Sequence, residues 1–245
     1  MTLGKIIADG KSCRGKKRNK NDDRLLLTKL DENNLIIAVS DGMGGHPGGD
    51  IAAKDIIDCL ASINIGSADR ADLLRAAIKH AEVNIRKIVK KSPDLEGMGA
   101  TATTAIIGGG MVYWAHIGDS RIYLMRTGIL RQITRDHTFL QDLIDAGDIS
   151  HEAAINHPMR HVLDQCVGCM DAGIDVGQFE FRENDILLAC TDGLTRSVAD
   201  DEIAAILLAG TAVPDTINSL IETSLQAGNL DDITVAMAFW KTRQE

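Results

Sequence analysis

Apolar residues in this chain recur with two different periods, and the change from one to the other marks out its elements. Arg24 to Leu30 and Leu35 to Ser40 are short, nearly continuous apolar runs. They predict two strands, the second a buried one, joined by the turn composition Asp31-Glu32-Asn33-Asn34. The spacing then becomes helical, through Ile51, Ala52, Ile56, Ile57 and Leu60, and again through Leu73, Leu74, Ala77, Ile78 and Ala81. The second set predicts a helix over 71–90. Strands are expected near 101–107, 111–117 and 121–125, at 175–181 and 185–191, and at 233–240. Helices are expected at 201–209 and 214–227. Residues 1–22 are polar and glycine-containing and suggest no element. Residues 137–165 are richer in charge and histidine and predict short helices and loops. Strands and helices are grouped rather than strictly alternating. That order favours an α+β fold of largely antiparallel sheets over a doubly wound parallel one. The expectation is one domain over 1–245, with an insert near 137–172.

Two of the apolar runs end alike. Leu35 to Ser40 runs into Asp41-Gly42, and Ile186 to Thr191 runs into Asp192-Gly193. Each delivers a carboxylate at a strand tip, followed by a glycine that lets the backbone turn. A buried carboxylate without a partner is costly, so two such tips suggest one cation site assembled by the fold. Further acids stand at element edges: Asp22 and Asp23, Asp119, and Asp231 with Asp232. Any one of them alone reads as an ordinary turn or cap aspartate. As a set they form an all-oxygen cluster, which suits Mg²⁺ or Mn²⁺ better than zinc or copper.

The formal charge of −9 argues against general nucleic-acid binding. It leaves an anionic substrate open, because divalent cations reverse the local field. One segment runs against the overall sign: residues 11–20 hold six basic side chains in ten. It reads as a solvated loop or as a collar that attracts acidic phosphopeptides. The stretch from Gly97 to Gly118 has no Asp, Glu, Lys or Arg. Its threonines and the block Gly108-Gly109-Gly110 make a buried hairpin the better reading than a membrane span. No secretory signal is evident, so a cytoplasmic protein without membrane attachment is expected. Five cysteines in such a chain suggest reduced thiols, and Cys166-Val-Gly-Cys169 reads as two incidental cysteines near a turn.

The ordered motifs carry a resemblance. Arg18-x-x-Asn21-Asp22-Asp23, Ser40-Asp41-Gly42-Met43-Gly44-Gly45-His46, Gly99-Ala100-Thr101-Ala102-Thr103 and Gly118-Asp119-Ser120-Arg121 appear first. Thr134-x-Asp136-His137, His157-Pro158-x-Arg160, Thr191-Asp192-Gly193-Leu194 and Asp231-Asp232-x-Thr234 follow. In this order they resemble the metal-dependent serine/threonine protein phosphatases of the type 2C (PPM) family in compact bacterial form. The resemblance implies an α-β-β-α sandwich and a phosphomonoesterase with two Mg²⁺ or Mn²⁺ ions, which activate a water for in-line attack on phosphorus. It implies that Asp41 bridges the metals, that Asp192 and Asp231 complete one, and that Asp22 and the Gly42 carbonyl serve the other. Asp23 would orient a water on that metal. Asp119 matches a residue that binds a weaker third metal, and Arg18 one that grips the substrate phosphate. The implied partners are phosphorylated proteins and the pathway of a cognate bacterial serine/threonine kinase, and a monomer is expected.

Three departures qualify the resemblance. Asp22 stands where glutamate is common, Asp232 where asparagine is usual, and Arg196 where many members carry an aspartate that helps hold the third metal. A weak or absent third metal is therefore expected. His46 reads as a structural residue of the glycine-rich turn. Residues 137–172 match the family's flap, in which His157 and Arg160 are expected to pin the flap rather than reach substrate. The alternative function is a catalytically silent phosphoprotein-binding module of the same fold. The full acidic set argues against it.

Overall fold

Strands that are apolar at every position need cover on both faces, and the arrangement of sheets and helices supplies it. The computed structural model describes residues 5–43, 47–66, 68–155, 157–160, 162–169 and 173–241. In chain order the elements are β1 (Lys5–Cys13), β2 (Arg24–Lys29), β3 (Asn34–Ser40), α1 (Gly49–Ala61) and α2 (Arg70–Lys91). Then come β4 (Ala102–Gly108), β5 (Met111–Ile117), β6 (Arg121–Arg126), β7 (Ile129–Gln132), α3 (Phe139–Ala146) and α4 (His151–Ile155). The chain continues with β8 (Asp175–Glu180), β9 (Ile186–Cys190), α5 (Asp192–Thr195), α6 (Asp200–Leu208), α7 (Val213–Gln226) and β10 (Ile233–Lys241). One sheet has the order β1-β10-β9-β6-β7 and the other β2-β3-β4-β5-β8. Every neighbouring pair is antiparallel.

Side chains of period two sort the core into three layers. Along β3, Ile37 and Val39 face the other sheet, while Ile36 and Ala38 face α1 and α2. Along β9, Leu187 and Ala189 face inward, while Leu188 and Cys190 meet α6 and α7. The result is the expected sandwich of two sheets between helical layers. The charge-free stretch is the β4–β5 hairpin, turned by Gly109 and Gly110 at φ 61° and 75°. Among the described residues no helix is long and apolar enough to cross a membrane.

Sequence periodicity misses β1 and β7. Both are edge strands with weak patterning of their own: β1 turns polar from Asp9 onward and β7 is four residues long. β1 is also interrupted by Gly10, where an added Cβ would lie 2.9 Å from a Leu25 methyl. The cysteine reading needs correction as well. Cys166 and Cys169 form a disulfide, whereas Cys13, Cys59 and Cys190 are free thiols. The two half-cystines are therefore not incidental. They clasp a loop whose Val167 exchanges backbone hydrogen bonds with Ala100 at 2.9 and 3.1 Å.

The glycines at the two strand tips serve a purpose other than turning. Neither Gly42 nor Gly193 has a left-handed backbone. A Cβ on Gly42 would lie 2.5 Å from the Gly49 backbone, and one on Gly193 would lie 1.8 Å from the Asp232 carbonyl. Close backbone approach is what requires them. Gly193→Ala is expected to destabilise the protein by about 3 kcal/mol or more, through overpacking against backbone that cannot yield. Gly128→Ala, at an open turn with φ 82°, is expected to cost only about 1–2 kcal/mol. Urea unfolding of the two variants checks the contrast.

Candidate active site

One end of the sandwich holds a cavity of about 410 Å³ lined by Asp41, Asp119, Asp192, Asp231, Arg18 and Arg196, with Met43, Thr101, Val162 and Leu163 completing its wall. Asp41 follows β3 and Asp192 opens α5 straight after β9, so each sheet supplies one of the paired strand tips. Asp119 comes from the β5–β6 turn, Asp231 from the lead into β10, and Arg18 from the β1–β2 loop.

Hydroxyl side chains set the backbone here. The Asp41 N–H donates to Thr101 Oγ1 at 2.9 Å, and the Thr101 N–H donates to the Asp41 carbonyl at 2.9 Å. Thr101 Oγ1 also meets Ser120 Oγ at 2.8 Å, which ties the Asp41 tip to the turn carrying Asp119. Ser40 Oγ donates to the Thr101 carbonyl at 2.6 Å. On the other sheet Thr191 Oγ1 donates to Asp23 Oδ2 at 2.8 Å and lies 3.0 Å from the Thr234 N–H. Sequence reasoning missed Thr101 and Thr191 as positioning residues. Their signal was present, because each sits inside one of the ordered motifs.

Other motif residues are scaffolding. Arg121 grips Asp136 through Nε at 2.9 Å and Nη2 at 2.7 Å. His157 caps its own turn, its Nδ1 accepting from the Met159 N–H at 3.2 Å, whereas the exposed Arg160 side chain reaches into the neighbouring grooves. His46 lies outside the described residues. Asp232 does not add charge to the cavity lining. It is buried, accepts from the Gly15 N–H and the Asp22 N–H at 2.8 Å each, and so stitches the β1–β2 loop to β10.

The acids are crowded. Burial, then the charges of Asp23 and Asp192, hold the Asp41 carboxyl well above its ordinary range. Burial and then Asp192 do the same to Asp119. Asp192 is raised by burial, against the pull of Arg196 and with a push from Asp231. Burial pushes Asp23 up to about 7, against its hydrogen bonds from threonine hydroxyls. Two guanidiniums stand among these groups. Arg18 donates to Asp231 Oδ1 through Nε at 2.8 Å and approaches it with Nη2 at 2.5 Å. Arg196 contacts Asp192, lies 3.1 Å from Asp231 Oδ2, and comes within 3.9 Å of Asp119 Oδ2.

Among the described residues, no three His, Cys, Asp or Glu side chains are drawn together as a ready-made metal cage. The arginines hold part of that set in ion pairs. The chemistry still fits a hard cation. Asp23 Oδ1 and Asp192 Oδ1 are buried with no hydrogen-bond partner, and the donors are all oxygen. A divalent ion would relieve the repulsion that raises the carboxyl pKa values. Asp22, Asp23 and Gly42 do not line the cavity itself. Asp22 Oδ1 lies 3.4 Å from Lys20 Nζ, and Gly42 bridges to Ala100 behind Asp41.

The family model described as protein phosphatase 2C matches residues 9–221. The chain is 36% identical over 230 residues to the serine/threonine protein phosphatase PstP of Mycobacterium tuberculosis, spanning 93% of this chain and 44% of that relative's length. It is 33% identical over 238 residues to the serine/threonine phosphatase stp of Listeria monocytogenes, which covers 94% of both. Among solved structures, the catalytic domain of PstP in complex with two manganese ions superposes with a TM-score of 0.86. That match has 34% identity and covers 98% of this chain and 100% of that one.

Behind the Asp119 turn lies a buried histidine pair. His116 Nε2 is 2.9 Å from the Arg135 carbonyl and Nδ1 is 2.8 Å from Thr103 Oγ1. A carbonyl only accepts, so Nε2 carries the proton, and Nδ1 faces the Thr103 hydroxyl, which also has the Ser120 carbonyl at 3.1 Å. Burial, then the neighbouring His137 ring at 4.8 Å, pushes the His116 pKa down to about 3. The His137 N–H donates to the Gly118 carbonyl at 2.7 Å, so this pair supports the turn bearing Asp119. A depressed folded pKa gives stability that is present above the unfolded value and lost as pH falls. His116 should therefore withdraw roughly 1.4 kcal/mol per pH unit from about 6.5 downwards. Urea unfolding at pH 6.5 and 4.5 should show wild type losing roughly 2–3 kcal/mol more than His116→Asn over that interval.

Proposed function

Since the chain belongs to the protein phosphatase 2C family, we propose that it hydrolyses phosphoserine and phosphothreonine on proteins and counteracts a bacterial serine/threonine kinase in the cytoplasm. One observation carries the reading: four carboxylates from both sheets and two guanidiniums line one cavity at the strand ends. The whole chain is taken as a single catalytic unit, acting as a monomer.

Two Mg²⁺ or Mn²⁺ ions, when bound, neutralise phosphoryl charge and lower the pKa of a water so that it attacks at neutral pH. Asp41, whose carboxyl feels the charges of Asp23, Asp192, Asp119 and Asp231, would serve both ions. Asp192 and Asp231 would hold one ion. Asp22 and the Gly42 carbonyl would hold the other, with Asp23 in support behind them. The PstP structure with two manganese ions supports this count. Arg18 binds the substrate phosphate. Its Nε and Nη2 already face Asp231, which fixes the guanidinium plane and leaves Nη1 for a phosphoryl oxygen. Asp119 is assigned to a third ion that is held weakly, because Arg196 already supplies a cation beside Asp119 and Asp192.

Turnover of a phosphothreonine peptide should require Mn²⁺ or Mg²⁺ and stop on chelation; activity indifferent to chelator would sink the two-ion assignment. Asp192→Asn should lower kcat by about 100-fold or more with the fold intact by circular dichroism. Arg18→Ala should raise KM for phosphopeptides by roughly tenfold, the worth of one charge-assisted contact. Stoichiometric peptide binding without turnover in Mn²⁺ would instead mark a silent binding module.

A further inference from the structure

A second groove of about 650 Å³ opens beside the acidic cavity and shares Arg18, Arg196 and Asp231 with it. Its other walls are Lys17, Arg160 of the flap, Ser197, and the backbone from Ala227 to Leu230. Four cationic side chains line it, against one carboxylate. That carboxylate, Asp231, is already paired with both Arg18 and Arg196. Lys17 and Arg160 are exposed, and among the described residues neither makes a side-chain hydrogen bond or ion pair. The groove therefore carries an unbalanced positive charge directly beside the proposed phosphate position.

This reshapes the basic segment of residues 11–20. Lys11 bonds Asn218 Oδ1 at 2.7 Å, Arg14 bonds the carbonyls of Arg18 and Asn19 at 3.2 and 3.0 Å, and Lys20 pairs with Asp50 at 2.6 Å. Those three are committed to the fold. Lys17 and Arg18 alone from this segment reach the groove, and Arg160 meets them from the flap.

We propose that this groove is an anion subsite for the substrate, selecting phosphoserine or phosphothreonine residues that have a second anionic side chain close by in the peptide. The inference rests on the phosphatase reading above. Along an extended peptide each residue advances about 3.3 Å, so a group one or two positions away leaves the acidic cavity for the adjoining groove. A guanidinium and an ammonium suit either a carboxylate or a phosphate. Because both cations are solvent-exposed, salt weakens the effect.

The test uses the full chain in Mn²⁺ with three peptides of equal length. One carries a single phosphothreonine among neutral residues, one adds a glutamate two positions away, and one adds a second phosphothreonine there. The expected kcat/KM for each anionic peptide is about three- to tenfold above the neutral one, and the gain shrinks as salt rises from 50 to 500 mM. In Lys17→Ala/Arg160→Ala the ratio of anionic to neutral peptide falls towards one. The ratio is the readout, so any change in basal turnover cancels. A gain with both peptides assigns the subsite to anions in general, and a gain with the bisphosphorylated peptide alone assigns it to phosphate. Equal kcat/KM for all three peptides in wild type, or a preference that survives in the double variant, overturns the subsite while leaving the phosphatase reading standing. No turnover of any peptide removes the reading on which it rests.

Discussion

Like charges brought to one point repel, and this end of the sandwich is organised around that repulsion. Asp41, Asp119, Asp192 and Asp231 share one cavity, and the carboxyls of the first three are held above their ordinary range by burial and by one another. Such a cluster persists only if the backbone carrying it is fixed by something stronger than the repulsion. Here the central strands are packed on both faces, so a slip by one residue would exchange the inter-sheet layer with the helix-facing layer. The threonine and serine hydroxyls then pin the last residues of each strand. Thr101 holds Asp41 and, through Ser120, the Asp119 turn. Thr191 holds Asp23 and the start of β10.

Much of this was legible in the sequence because burial writes a strong signal. Every central strand and both long helices announce themselves by apolar spacing, and the Asp41 and Asp192 tips follow directly from where two runs stop. β1 and β7 leave little trace, since β1 is polar from Asp9 onward and β7 spans four residues. The strand-tip glycines were visible, but their reason was not. Gly193 is needed because Asp232 backbone passes against it, and that neighbour lies far along the chain. The Cys166–Cys169 bond was equally hidden, because composition suggested reduced thiols and spacing alone cannot tell a clasp from coincidence.

The role of charge was least legible of all. Six basic residues in ten left a solvated loop and a collar both open; the fold ties Lys11, Arg14 and Lys20 into local bonds and presents Lys17 and Arg18 to the groove. Asp232 stands in the sequence only as a departure from asparagine, and in space it is a bracket between the β1–β2 loop and the lead into β10. Arg196 sits four residues after Asp192 and places a guanidinium among the carboxylates. Each outcome depends on which groups lie opposite in space.

The pairing of β1 with β10 bears on the order of events during synthesis. Asp22, Asp23 and Asp41 leave the ribosome long before Asp231 and the strand that pairs with β1 along its whole length. Until β10 is made, β1 lacks its sheet neighbour, and the Asp232 bracket on the β1–β2 loop does not exist. Contacts of such long sequence separation form slowly, because the intervening chain must first be ordered. A nascent chain therefore holds Asp41, Asp119 and Asp192 before Asp231 and the bracket on the Arg18 loop can join them, and the cavity is walled on all sides only once β10 is in place.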